Sequence, residues 1–213
     1  MVSRPNESGP PKTLLIACGA LAREIVDLIR LNSWTHFSVT CLPAIWHNTP
    51  EKIPEAVRRR IREARDDYDR ILVVYGDCGS GGILDQVLEE EGVERIDGPH
   101  CYAFYSGVSD FLAQADADPA CFYLTDYLAR HFERLIIEGL GIDRHPELLP
   151  MYFGNYKTLV YLAQTDDPDL KAKAEAAAAR LGLAYEYRRT GYGELGSFLQ
   201  AASDEEDTGR WHG

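Results

Sequence analysis

Positive charge is scarce in this chain. Lysine and arginine number 22 against 34 aspartates and glutamates, a net charge of −12. So acidic a chain lacks the basic stripe by which proteins usually meet a nucleic-acid backbone. The one dense basic run, AVRRRIREAR at 56–65, is interleaved with apolar positions at helical spacing and reads as the solvated face of one amphipathic helix. Long apolar runs are missing as well, none approaching the ~20 residues that span a bilayer. The opening MVSRPNESGPPK is polar and proline-rich, without the apolar segment of a secretory signal. A cytoplasmic protein with no nucleic-acid or membrane partner is therefore expected. No C-x-x-C pair and no H-E-x-x-H occurs, so no compact metal motif announces itself.

What remains is an ordinary globular composition, 45% hydrophobic and 26% charged over 213 residues. That is enough for one substantial core or two small lobes packed together. Five cysteines in a reducing compartment are expected to stay unpaired, leaving packing, metal binding or catalysis as their uses.

Residues 1–12 read as a disordered leader, 13–202 as a single α/β domain and 203–213 as an acidic, frayed tail. Within the domain, buried β-branched runs alternate with amphipathic helices: TLLIAC then ALAREIVDLIRLN, FSVTC then IPEAVRRRIREA, RILVVY then ILDQVLEEEG. A fourth unit has a short strand in VERI and a helix near 108–115. Helices of this length act as crossovers, so the pattern predicts a Rossmann-like, largely parallel sheet with helices on both faces. In the second half, a strand at ACFYLT leads into a long helix, and VYLAQ and LAYEYRRT read as further strands. DPDLKAKAEAAAARLGL is a helix ending at Gly182. Recurring strand-to-glycine turns allow two pseudo-related lobes.

The turn after the third strand, GDCGSGG at 76–82, raises the functional question. It has neither dinucleotide nor P-loop spacing, and no NAD, FAD or ATP motif is recognised elsewhere, the NAD-type fingerprint with its later acidic residue included. Its glycines let backbone approach a ligand, with Gly79, Gly81 and Gly82 as candidate contacts and Asp77 and Cys78 facing it as candidate catalytic groups. Cys18, Cys41, Cys78 and Cys101 all follow strand ends, which in a parallel sheet share the ligand-binding rim. Cys121 begins a strand and belongs to the opposite rim or the core. Thiols and imidazoles converging there suit zinc or iron, with Cys78, Cys101, His100 and Cys18 as the candidate ligands. Each cysteine is equally a normal small hydrophobe. His47 and Asn48, Thr125 and Tyr192 are further candidate ligand contacts, although Thr125 also suits a helix cap. The aromatic stretches HCYAFYSG and MYFGNY read as core and helix packing.

LIACGALAREI, LPAIWHNTPEKIP, YGDCGSGG, GPHCYAFYSG, FYLTDYLARHF, MYFGNYKTLVYLAQT and TGYGEL together resemble the prokaryotic family called domain of unknown function 1638, from about Leu14 to about Leu199. The resemblance implies cysteines kept at Cys78 and Cys101. It also implies gene neighbours encoding corrinoid-dependent methyltransferases and folate-linked one-carbon enzymes. A looser likeness, of fold alone, is to aspartate/glutamate-type amino-acid racemases, whose two lobes each present a cysteine. Their Cys-Asn-Thr and Gly-Cys-Thr-His signatures are absent.

The leading expectation is a small-molecule-binding, metal-dependent transferase or hydrolase of one-carbon metabolism. Two others stand beside it: a metal-free cysteine enzyme acting on a small acid or amine, and a non-enzymatic accessory of a corrinoid protein or methyltransferase partner.

Overall fold

The computed structural model describes residues 12–207. The expected leader, Lys12 apart, and residues 208–213 of the expected tail lie outside them. The strands divide into two all-parallel sheets flanked by helices, not one continuous sheet.

In the first sheet the order is β2–β1–β3–β4. β1 (Thr13–Cys18) is buried along its whole length because it is central, between β2 (Phe37–Leu42) and β3 (Arg70–Val74). That placement is what its unbroken apolar run requires, since both faces are covered. Helices α1 (Ala22–Asn32), α2 (Ile53–Ala64) and α3 (Ile83–Glu91) provide the crossovers. On α2, Ile53, Ala56, Val57, Ile61 and Ala64 form the buried stripe. Three basic side chains of this segment turn toward α3: Arg58, Arg62 and Arg65 all reach the Glu91 carboxylate, at 3.3, 2.7 and 3.0 Å. The strand expected in VERI shrinks to β4 (Glu94–Arg95). The chain then turns through residues 96–102 into α4 (Ala103–Ser106) and α5 (Val108–Ala117).

The second sheet has the order β5–β6–β7, built from β5 (Cys121–Thr125), β6 (Thr158–Ala163) and β7 (Ala184–Arg189). The long helix expected after β5 is broken: α6 (Asp126–Arg130) gives way to a π-helical stretch, Glu133–Glu138. A short α7 (Leu149–Phe153) precedes β6. α8 (Pro168–Leu181) begins as its sequence dictates, with the Asp167 carboxylate accepting from the N–H groups of Asp169 and Leu170 and proline at the first position, and Gly182 closes it at φ 72°.

α9 (Gly193–Asp207) returns to the first sheet and seats Leu195, Leu199 and Ala202 in that sheet's core. The helix runs past Ala202, where the frayed tail was expected to begin. Ser203 is buried and Glu205 pairs with Arg70 at 2.9 Å.

Candidate functional site

β1 and β3 are neighbours, with Ala17 in register with Val74, so Cys18 and the turn after β3 emerge side by side. The turn is then zipped to the loop after β4: the Asp77 N–H donates to the Gly98 carbonyl at 3.0 Å and the Cys78 N–H to the Pro99 carbonyl at 2.8 Å. So close an approach needs Gly76, because a Cβ there would stand 2.8 Å from the His100 carbonyl carbon and 2.9 Å from the Cys101 nitrogen. The Gly76 N–H donates to the Cys101 sulfur at 3.4 Å, and the Cys78 and Cys101 sulfurs lie 3.5 Å apart.

Cys78 sits at φ 48°, in the left-handed region that a residue with a Cβ rarely occupies. Strain of this kind persists where the surroundings hold a side chain in place for a purpose. Cys18, Cys78 and Cys101 are all buried and unpaired. Cys101 is held protonated by its contacts with Cys18 and Cys78 and by burial. Its S–H supports both neighbours: Cys78 is pulled well below the usual thiol range by Cys101, against burial, with help from His100 and His47. Cys18 is lowered in the same way. His47 is raised by its hydrogen bond to Cys78. The thiol with the lowered pKa, Cys78, thus lies beside two imidazoles, His47 and His100, whose ring centroids are 6.2 Å apart, an environment that favours the thiolate.

Two polar atoms beside the cluster, His100 Nδ1 and the Tyr75 hydroxyl, are buried with no hydrogen-bond partner among the described residues. Unsatisfied atoms of this sort are uncommon in native interiors and mark a place where something else completes the bonding. As the side chains stand, no three His, Cys, Asp or Glu residues among those described are gathered to clasp an ion. The Cys78–Cys101 separation of 3.5 Å is nevertheless close to the ~3.8 Å edge of a tetrahedron with metal–sulfur bonds of about 2.3 Å.

The cluster forms the floor of a cavity of about 450 Å³ between the two sheets, a size suited to a small organic ligand. His47 and Asn48 reach it from the 3₁₀ turn Ala44–Asn48, and Thr125 lines it while its hydroxyl also accepts from the Leu128 N–H to cap α6. The far wall is β5. As the edge strand of its sheet it presents Cys121, Phe122, Tyr123 and Thr125 to the cavity. Cys121, expected at the opposite rim or in the core, therefore lies in the wall, because the second sheet meets the cavity along an edge and not only through its strand ends.

Other candidates fall elsewhere. Asp77 turns back into its own loop: its carboxylate accepts from the Ser80 hydroxyl at 2.6 Å and from the N–H groups of Gly79, Gly81 and Gly82. Burial works against its charge, but these donors outweigh it and hold the carboxyl below its ordinary range. Those glycine N–H groups are thereby spent on Asp77, and neither it nor they line the cavity. Cys41 is exposed on β2, and Tyr192 packs against the first core. The aromatic stretches expected as core do supply it, with Phe104 and Tyr105 in the first core and Phe153 in the second, and through Tyr102, Tyr105, Tyr152, Phe153 and Tyr156 they also build the walls. Their abundance in HCYAFYSG and MYFGNY was the available signal. Gly191-Tyr192-Gly193-Glu194-Leu195-Gly196 does spell G-x-G-x-x-G between a strand and a helix. A Cβ at Gly193 would stand 2.3 Å from the Tyr105 carbonyl oxygen, so that glycine's backbone is packed against α4 and not open to a pyrophosphate.

Two parallel α/β sheets closing on three buried cysteines flanked by His47 and His100 define a two-lobed α/β protein with a thiol-floored pocket. The family model for the protein of unknown function DUF1638 matches residues 41–199, and the chain belongs to that family. Cys78 and Cys101 fall inside the matched stretch and Cys18 outside it. No curated protein matches the sequence. Among the described residues no helix is long and apolar enough to cross a membrane.

Proposed function

We propose that this chain is a small-molecule-binding protein whose Cys78 and Cys101 sulfurs, with either Cys18 or His100, hold a zinc or iron ion at the floor of the cavity. The observation that carries this reading is the 3.5 Å pair of buried sulfurs beside an unpartnered His100 Nδ1. Soft sulfur and imidazole donors are the set that these ions prefer. Bound there, the ion supplies Lewis acidity to a ligand in the cavity. The protein's own part is to exclude water with its aromatic walls and to hold Cys78 ready as a thiolate, while Cys101 would give up its proton when the ion binds. Three unpaired buried thiols suit a reducing, cytoplasmic setting. The family resemblance extends the reading to methyl-group metabolism, with a methyltransferase or corrinoid protein as partner. Elemental analysis of protein purified without chelator or affinity metal tests it. A stoichiometric metal lost in Cys78→Ser and Cys101→Ser supports it, and a metal-free parent overturns it.

The strained backbone of Cys78 and the thiolate character of its sulfur favour a second reading without a metal. In it the Cys78 thiolate is the nucleophile or base and His47 carries the proton. A metal-free parent that is alkylated at Cys78 alone would select this reading over the first.

A further inference from the structure

The strand that forms the far wall of the cavity has an unused side. β5 pairs with β6 and with no other strand. The phase of that ladder is fixed at its start, where the Ala120 carbonyl accepts from the N–H groups of Lys157 and Thr158 at 2.8 and 3.3 Å and Cys121 is in register with Thr158. Main-chain groups of successive residues in a strand point to opposite edges, so a carbonyl at 120 directed at β6 puts those of Phe122 and Leu124 there too. β6 keeps the complementary phase, its Lys157 and Ala163 carbonyls turning the other way to accept from the N–H groups of Ala184 and Thr190. The N–H and C=O of Cys121 and Tyr123, and the N–H of Thr125, therefore point away from β6. None of these groups has a backbone partner among the described residues.

The unused side is turned into the cavity. Cys121, Tyr123 and Thr125 line it, and so does Phe122, whose side chain lies on the other face of the strand. Lining from both faces at once means that the cavity runs along the edge between them. Proteins commonly blunt an open edge with charge, proline or brevity. β7, at the far side of the same sheet, carries Glu186, Arg188 and Arg189. β5 reads Cys-Phe-Tyr-Leu-Thr, with neither charge nor proline. Its edge meets a space walled by aromatic and aliphatic side chains such as Tyr102, Leu135 and Ile136, where main-chain groups call for hydrogen-bond partners.

Resting on the reading of this cavity as the ligand site, we propose that its ligand carries a secondary amide, as in a short peptide or blocked amino acid, and adds to the open edge of β5 as a further strand. The ligand's N–H donates to the Cys121 carbonyl and its C=O accepts from the Tyr123 N–H, the pairing by which extended peptides join sheet edges. The cavity volume of about 450 Å³ keeps the ligand small. The assignment concerns the wall, and it holds with a metal on the floor or with none.

The test titrates the whole protein with the N-acetyl N′-methylamides of alanine, leucine and phenylalanine, and with the same three compounds methylated on the acetyl-bearing nitrogen, which removes the donor meant for Cys121. By calorimetry at least one of the first set is expected to bind more tightly than about 1 mM, and its methylated counterpart about tenfold or more weakly. In nuclear magnetic resonance spectra of the same titration the Tyr123 amide signal is expected to move more than those of Phe122 and Leu124, which bond to β6. Affinity weaker than about 1 mM for all three, equal binding of the methylated set, or larger shifts at Phe122 and Leu124 would overturn the proposal. Tyr123→Pro deletes the outward N–H at a position where an edge strand accepts proline, whereas Tyr123→Ala keeps it. Both variants are expected to fold, with the proline variant binding severalfold more weakly than the alanine one. Equal binding by the two, or a proline variant that fails to fold where the alanine variant folds, would overturn the assignment of that N–H. Elemental analysis of the same sample keeps this inference apart from the metal reading. A metal-free parent that discriminates between the two sets supports the edge site while removing the metal, and a metal-bearing parent that does not discriminate does the reverse.

Discussion

The sulfurs of Cys78 and Cys101 are 3.5 Å apart although 23 residues separate them in sequence. Neither residue reaches the other through its own strand. The contact is made by two loops that lie against each other, and the lack of a side chain at Gly76 is what lets them do so.

Gly76→Ala is accordingly expected to push the 98–101 loop away, since its Cβ would overlap the His100–Cys101 peptide. The cost should be about 1–3 kcal/mol, as for overpacking elsewhere. Chemical denaturation measures that cost, and metal content measures the site. A variant with parental stability and full metal would show that the loops are positioned some other way.

Backbone strain at Cys78, φ 48°, makes a separate prediction. Cys78→Gly should be more stable than Cys78→Ala by about 1 kcal/mol, because glycine alone occupies that region without cost. Thermal unfolding of the pair decides it. Equal stabilities would mean that the turn is relaxed.

Glu24 is buried on α1 with one carboxylate oxygen unpartnered among the described residues, and burial raises its pKa from 4.5 to about 7. An acid raised in this way binds its proton more tightly when folded. Its contribution to stability is full below about pH 4.5 and is lost as pH climbs through about 7, a change of about 3 kcal/mol. Glu24→Gln should match the parent near pH 4.5 and exceed it in stability at pH 8. Parallel curves across that window would contradict the assignment.

In the second sheet, the buried Asp126 carboxylate accepts from the Tyr161 hydroxyl at 2.7 Å, the Gln164 N–H at 3.0 Å, and both the N–H and the hydroxyl of Thr165. Asp126→Asn replaces an acceptor with a donor facing donors. It should cost about 2–4 kcal/mol without altering metal content. Urea unfolding together with elemental analysis separates the two effects.

Much of this architecture was legible because it is local. The unbroken apolar runs of β1 and β3 demand burial on both faces, α8 carries both of its caps in sequence, and cysteines after parallel strands must share a rim. The division into two sheets was legible only as an allowed alternative, from the recurring strand-to-glycine turns, since β4 is too short to extend the first sheet and nothing near Cys121 states which strand β5 will pair with. The direction in which Asp77 turns was not legible for a physical reason: a carboxylate beside glycine N–H groups resembles a ligand-facing acid, yet the same N–H groups are its partners here. The wall tyrosines were legible as packing residues but not as walls, because a lined cavity and a packed core draw on the same residue types, and Tyr105 serves both.

The most direct measurement is X-ray absorption at the edge of the metal in zinc- or iron-loaded parent protein. A shell with two or more sulfur neighbours at about 2.3 Å, losing sulfur in Cys101→Ser, is the predicted result. A shell of nitrogen and oxygen alone at about 2.0–2.1 Å, or a parent that takes up no metal, would contradict a centre built on Cys78 and Cys101.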